Sequence, residues 1–127
     1  LKAKAWKLCS EYIRRKNAGP NGMVQCYCGV IIPWQKSQAS HLVPGRTHSI
    51  LFDERGIYPS CIACNMFKGG NLHAYMRFLE KKLGVEQAIA LRDDLMLKKN
   101  QIVLLTETDL EQIIEKYSKL LKELDEK

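Results

Sequence analysis

Residues 60–71 read SCIACNMFKGGN: two cysteines three positions apart, an asparagine directly after the second, then Met66, Phe67, a lysine and two glycines. Cys61 and Cys64 have the knuckle spacing of a metal clip, and one tetrahedral site needs a second pair. Toward the N-terminus, QCYCG over residues 25–29 supplies it as Cys26 and Cys28. Thiolates are soft ligands that suit zinc, and four of them leave no position for water, so the expected zinc is structural. Only Tyr27 separates the first pair, which demands a tight turn, and the bland alternative is an ordinary buried thiol with no zinc. The fifth cysteine, Cys9, falls on the apolar stripe of a helix and reads as a small core residue.

The chain has 127 residues and a net charge of +6. That length suits one small domain, in which zinc binding would supply much of the folding energy. No run is long and apolar enough to span a bilayer and no signal-peptide pattern opens the chain. The expectation is a soluble, cytoplasmic protein without disulfides or membrane contact. The opening residue is Leu1 rather than methionine, so a fragment is expected. Charge is unevenly spread. Residues 1–84 hold 13 Lys or Arg against 4 Asp or Glu, and residues 85–127 hold 7 against 10. A basic body of this kind suits a polyanionic partner, although basic surfaces also serve solubility alone.

Around the clip the chain reads as helix, short strands, then helices. Trp6, Cys9 and Ile13 recur at helical spacing, Arg14, Arg15 and Lys16 suit the helix C-terminus, and residues 19–22 stop it. VQCYCGVII and SQASHLV are strand-like, and PGRTHS is a turn-rich loop. Leu72, Tyr75, Met76, Leu79 and Leu83 predict a helix ended by Gly84, and a shorter one follows over about residues 85–98. The tail has an apolar run, QIVLL, and a capping-box start at Thr108 and Glu111. Its stripe of Leu110, Ile113 or Ile114, Tyr117, Leu120 or Leu121 and Leu124 must pack either on its own domain or in a two-stranded dimer contact.

His41, in ASHLVPGR, lies between the cysteine pairs at the end of a strand. Alone it is an unremarked histidine. With the clip and Asn65, the arrangement CYCG, SHLVPGR, LFDERGIYPSCIACNMFKGGN resembles the zinc-containing HNH, or His-Me finger (ββα-metal), nucleases. More closely, it resembles the NinG/Rap family of phage recombination proteins, structure-specific endonucleases acting on branched DNA. The likeness runs from WKLCSEYIRRKNA to TETDLEQIIEKY. Phage endonuclease VII, a Holliday-junction resolvase, shares the two cysteine pairs, the histidine between them and the asparagine after the last.

The resemblance implies an α+β fold with a small ββα-metal core, a four-cysteine zinc site and flanking helices. Residues 1–22 would be an N-terminal helix, 23–84 the zinc-braced nuclease core, and 85–127 a helical arm. His41 would be the general base that deprotonates the attacking water, a task suited to imidazole at neutral pH. Asn65 would hold Mg2+ or Mn2+, which stabilises the departing 3′ oxygen and leaves 5′-phosphate and 3′-hydroxyl ends. Two positions depart from the family pattern. Ser40 stands where relatives often carry a second metal ligand, and Gly56 where an asparagine fixes the loop holding the base, so either a backbone group substitutes or His41 is less well positioned. Asn65 would stand at the start of the finger's helix, and His73, eight residues on and therefore about two turns along that helix on a similar face, is a second-ligand candidate; its alternatives are an exposed histidine or a phosphate contact. Arg46, Lys68, Asn71 and His48 are candidate DNA contacts. Gly69 and Gly70 would admit the DNA backbone, the IRRK segment is a DNA patch or a solvated helix end, and Asp53 and Glu54 belong in internal ion pairs with Arg55 and its neighbours.

The expected function is cleavage of Holliday junctions, D-loops or flaps in phage-type recombination within the bacterial host cytoplasm. A homodimer and a recombination protein are candidate partners. The alternatives are an HNH nuclease nicking double-stranded DNA and a zinc-stabilised DNA-binding module without catalysis.

Overall fold

The computed structural model describes residues 1–45 and 47–127. Helix α1 (Lys2–Lys16) buries Ala5, Cys9 and Ile13, the stripe that its periodicity predicts, and carries Arg14, Arg15 and Lys16 in its last turn. Its two arginines are engaged within the protein: Arg14 donates to the Trp34 and Ser37 carbonyls, Arg15 pairs with Glu11 and Asp125, and both lie over the Trp34 ring.

Two antiparallel ribbons follow, β1 (Met23–Gln25) with β2 (Ile31–Pro33), and β3 (Gln38–His41) with β4 (Ile57–Ser60). The second ribbon pairs His41 with Ile57 and Gln38 with Ser60. Strand β4 carries Pro59, which argues against a central strand but is tolerated where a strand has a partner on one side only.

After β4, Ala63–Phe67 forms a single π-helical turn, and α2 (Leu72–Leu83) and α3 (Val85–Lys99) follow. Tyr75 and Leu79 of α2, with Ala88 and Leu95 of α3, are buried in the core that includes Cys26, Cys64 and Leu42. Leu72 and Leu83 stay exposed, so the α2 stripe is narrower than its sequence implies.

Helix α4 (Glu107–Asp125) packs on α1, with Tyr117 against Cys9, Ile13 and Ile57 and with Ile113 and Leu120 beside them. The tail stripe is thus covered within the chain. Its capping box is formed by Thr106 and Asp109 rather than Thr108 and Glu111: the Thr106 hydroxyl accepts from the Asp109 amide, and the Asp109 carboxylate accepts from the Thr106 amide. Both pairs fit the motif, and starting at Thr106 adds helical hydrogen bonds before Leu110. The architecture is mixed: four α-helices around two small sheets among the described residues. None of those helices is long and apolar enough to cross a membrane.

A four-thiol cluster behind a histidine and asparagine cleft

Cys26, Cys28, Cys61 and Cys64 converge with all four sulfurs within 4.8 Å of one another. Sulfurs at the corners of a tetrahedral zinc site stand roughly 3.8 Å apart, given bonds of about 2.3 Å. Cys28 Sγ and Cys61 Sγ are 3.8 Å apart, and none of the cysteines is in a disulfide. The tight first knuckle is the tip of the β1–β2 ribbon, closed by the Gly29 amide on the Cys26 carbonyl at 2.8 Å. Gly29 has φ +102°, where a side chain would be strained. Burial pushes the Cys26 thiol up to about 12. Ionising it at neutral pH therefore calls for a compensating positive charge, which a divalent cation would supply. The Asn71 side-chain amide donates to Cys64 Sγ at 3.3 Å, the kind of outer contact that orients a thiolate ligand. The donor set and spacing fit zinc.

Tyr27, between the first two cysteines, links this cluster to the rest of the site. Its hydroxyl donates to the Gly70 carbonyl and meets Ser40 Oγ at 3.3 Å, and its ring stacks on Tyr75 at 4.2 Å. Burial pushes the Tyr27 phenol up to about 12, so it remains a neutral donor. Tyr75 in turn donates to the Ser40 carbonyl at 2.7 Å and lies 3.3 Å from the Gly56 carbonyl.

On the outer side of β3 lies a cleft of about 600 Å3 whose walls include Trp6, Gln38, His41, Asn65, Gly69 and Gly70. His41 and Asn65, which lie 24 positions apart in the sequence, thus face one space. The His41 ring is 4.8 Å from that of Trp6, stacked at 27°. Its Nε2 is 3.0 Å from the Leu51 carbonyl. A carbonyl only accepts, so this bond puts the proton on Nε2 and the lone pair on Nδ1. The Asn65 side-chain amide donates to Gln38 Oε1, and Gln38 Nε2 reaches Met66 Sδ at 3.6 Å. Asn65 is held through its nitrogen, which leaves Oδ1 as its donor atom for a cation.

Several expected residues stand elsewhere. Asn65 does not begin α2: it lies within the π-turn that ends at Phe67, and Asn71 at φ +50° precedes the helix. His73 is therefore not two turns along one helix from Asn65, and it is exposed on α2 outside the residues lining the cleft. Asn71 binds Cys64 rather than presenting its amide to a phosphate. His48 accepts from the Leu105 amide at 3.0 Å, tying down the segment before α4. Lys68 is exposed at the end of the π-turn. Arg46 lies outside the described residues.

Both departures have local causes. Ser40 is 1% exposed and turned toward Tyr27, so it adds no ligand to the cleft. A Cβ on Gly56 would come within 2.5 Å of Leu95 Cδ1, so α3 occupies the room an asparagine would need. The Leu51 carbonyl orients the imidazole instead. Asp53 pairs with Arg55, as expected, and with Lys98, each at 2.8 Å; Glu54 pairs instead with Lys16 and Lys116 from the two helices and accepts from Tyr117 at 2.7 Å. Trp6, Gln38 and Leu51 were not among the predicted site residues. Trp6 was visible only as part of a helical stripe.

A family model described as NinG, Bacteriophage Lambda NinG protein, matches residues 1–127. Protein ninG of Salmonella phage P22 is 28% identical over 67 residues, which cover 53% of this chain and 33% of that protein. The aligned part thus spans about a third of the relative's length. No solved structure matches. With its full length matched and its clip, histidine and asparagine assembled as described, the chain belongs to the NinG family.

Proposed function

We propose that the protein is a metal-dependent endonuclease acting on branched DNA in phage recombination, with a His-Me finger core made of β3, β4 and the segment after them. The observation that carries this reading is the shared cleft: His41 and Asn65 line one space, and the thiol cluster stands directly behind Asn65. The order of strand, loop, strand and helix between Gln38 and Leu83 also supports it.

His41 receives the proton of the attacking water at Nδ1, the nitrogen left basic by the Leu51 contact. Trp6 fixes the plane of the ring. Asn65 would hold a magnesium or manganese ion through Oδ1, and the described cleft residues include no carboxylate. That donor set fits an ion that keeps most of its shell as water and phosphate oxygens. When bound, such an ion neutralises charge on the scissile phosphate and its leaving oxygen. A zinc held by Cys26, Cys28, Cys61 and Cys64 would brace the Asn65 turn without taking part in the reaction.

A non-catalytic DNA-binding module is the second reading, favoured by the inward turn of Ser40 and the absence of a carboxylate among the described cleft residues. Cleavage of four-way junction, flap and duplex by the zinc-loaded protein, with magnesium or manganese, separates the two. His41→Ala is expected to lower cutting roughly 100- to 10,000-fold while junction binding persists. Binding without metal-dependent cutting by the unaltered protein would leave the module.

A further inference from the structure

Between Asn65 and Gly69, both on the cleft wall, the chain exposes Met66 and Phe67, 62% and 78% accessible. Burying a phenylalanine side chain normally stabilises a fold, so a ring left this open beside a polar site is informative. It is also firmly carried. The Lys68 amide donates to the Ala63 carbonyl at 3.0 Å and the Gly70 amide to the Cys64 carbonyl at 2.9 Å. Asn71 binds Cys64 Sγ, so the far end of the turn is fastened to the thiol cluster.

The neighbours of the ring suit a nucleic acid. Lys68 is exposed beside it. Gly69 and Gly70 have φ +56° and +90°, and a Cβ on either would meet nothing within 4 Å, so a phosphate backbone can approach closely. Residues 1–84 hold 13 Lys or Arg against 4 Asp or Glu. A protein partner would cover an apolar ring as well, but the adjoining lysine, the open glycine backbone and the cleft without a described carboxylate match a polyanion.

We propose that Phe67 reads the branch: its ring stacks on a base exposed where DNA strands diverge, while Lys68 neutralises the adjacent phosphate. The inference rests on the branched-DNA reading above. Continuous duplex keeps its bases stacked and offers no free face, whereas a branch point does. Stacking therefore selects structure without selecting sequence.

The test uses zinc-loaded full chain with calcium in place of magnesium, and a four-way junction carrying 2-aminopurine either at the branch or within an arm. Phe67→Ala is expected to weaken junction binding about tenfold, leave duplex binding within about twofold, and abolish the branch-specific fluorescence change. Phe67→Trp is expected to retain both, with zinc content and melting temperature unchanged in each variant. Equal junction affinity and an equal branch signal in wild type and Phe67→Ala would overturn the inference and leave the nuclease reading standing. Wild-type protein that binds the junction no better than duplex would overturn both. Loss of self-association in Phe67→Ala with DNA binding intact would assign the ring to an interface between copies and overturn the inference.

Discussion

Around the four sulfurs, the buried residues include Cys26, Tyr27, Cys64 and Tyr75; between α1 and α4 they are Cys9, Ile13, Ile57 and Tyr117. The first region joins a two-stranded ribbon, a π-turn and α2 through thiols and phenol hydroxyls, the second joins two amphipathic helices through apolar faces. His41 sits where they meet, stacked on Trp6 of α1 and bonded to Leu51 on the loop between β3 and β4. The cleft is therefore built by two cores of different kinds, and only one carries a thiol cluster that could hold a cation.

Removing zinc is the strongest way to break that comparison. Structural zinc in small domains contributes on the order of 10 kcal/mol at neutral pH. Chelation, or Cys64→Ser, is expected to abolish the ordered clip and with it the placement of Asn65, while part of the α1 and α4 helicity persists in far-UV circular dichroism. Elemental analysis should give one zinc per chain before chelation. A zinc-free protein that melts at the temperature of the loaded one would refute the division.

Two tyrosines sharpen it. Tyr75 is fully buried, and its hydroxyl serves the Ser40 and Gly56 carbonyls. Tyr117 serves Glu54, whose carboxylate also faces Lys16 and Lys116 at the edge of the helical core. Tyr75→Phe removes the phenol donor from the buried Ser40 carbonyl, while the Gly56 carbonyl keeps the Leu42 amide, and is expected to cost about 2 kcal/mol in urea unfolding; Tyr117→Phe should cost less, because water and the lysines take over part of the work. The reverse order would mean that the phenol network around the clip is not a main support.

Asp53 connects the loop after β3 to α3. Hydrogen bonds from Arg55 outweigh the upward push of burial, and Lys98 adds to them, so its carboxyl is held well below the usual carboxylate range. A pKa depressed by folding contributes stability that is complete above the unfolded value of about 3.9 and is lost as the pH falls toward the folded one. Asp53→Asn is expected to cost about 1.5 kcal/mol near neutrality and to flatten the loss of stability below about pH 4. Urea midpoints measured from acid to neutral pH check this; parallel curves for the two proteins would sink it.

The same two regions differ in how far their sequences could be read. The helices were legible because Cys9 with Ile13, and Tyr75 with Leu79, repeat at a local period that holds in any context. The clip was legible because its chemistry restricts which residues can serve. What escaped the sequence lies across the chain or in unusual backbone. Gln38 clamps Asn65 from 27 positions away, and Leu51 replaces a missing side chain with a carbonyl, which every residue possesses. Asn71 adopts φ +50° and divides what read as one helix, which removed the premise for His73. Pro59 concealed β4, since the lack of a partner on one side cannot be seen locally.

The smallest effect tests the one helix start read in the wrong register. Thr106 and Thr108 each begin a Thr-x-x-acid motif, so spacing alone could not choose between them. In the structure only Thr106 lies outside the helix with extended backbone, at φ −75° and ψ +167°, where its hydroxyl can accept from the Asp109 amide. Thr108 lies inside α4, where a β-branched residue supplies no cap. Thr106→Ala is therefore expected to cost about 1 kcal/mol. Thr108→Ala should change stability little or raise it slightly, since alanine is the better helix former. Equal losses at both positions would mean that the first turn of α4 frays in solution; a larger loss at Thr108 would restore the later start and shorten the helix that closes over α1.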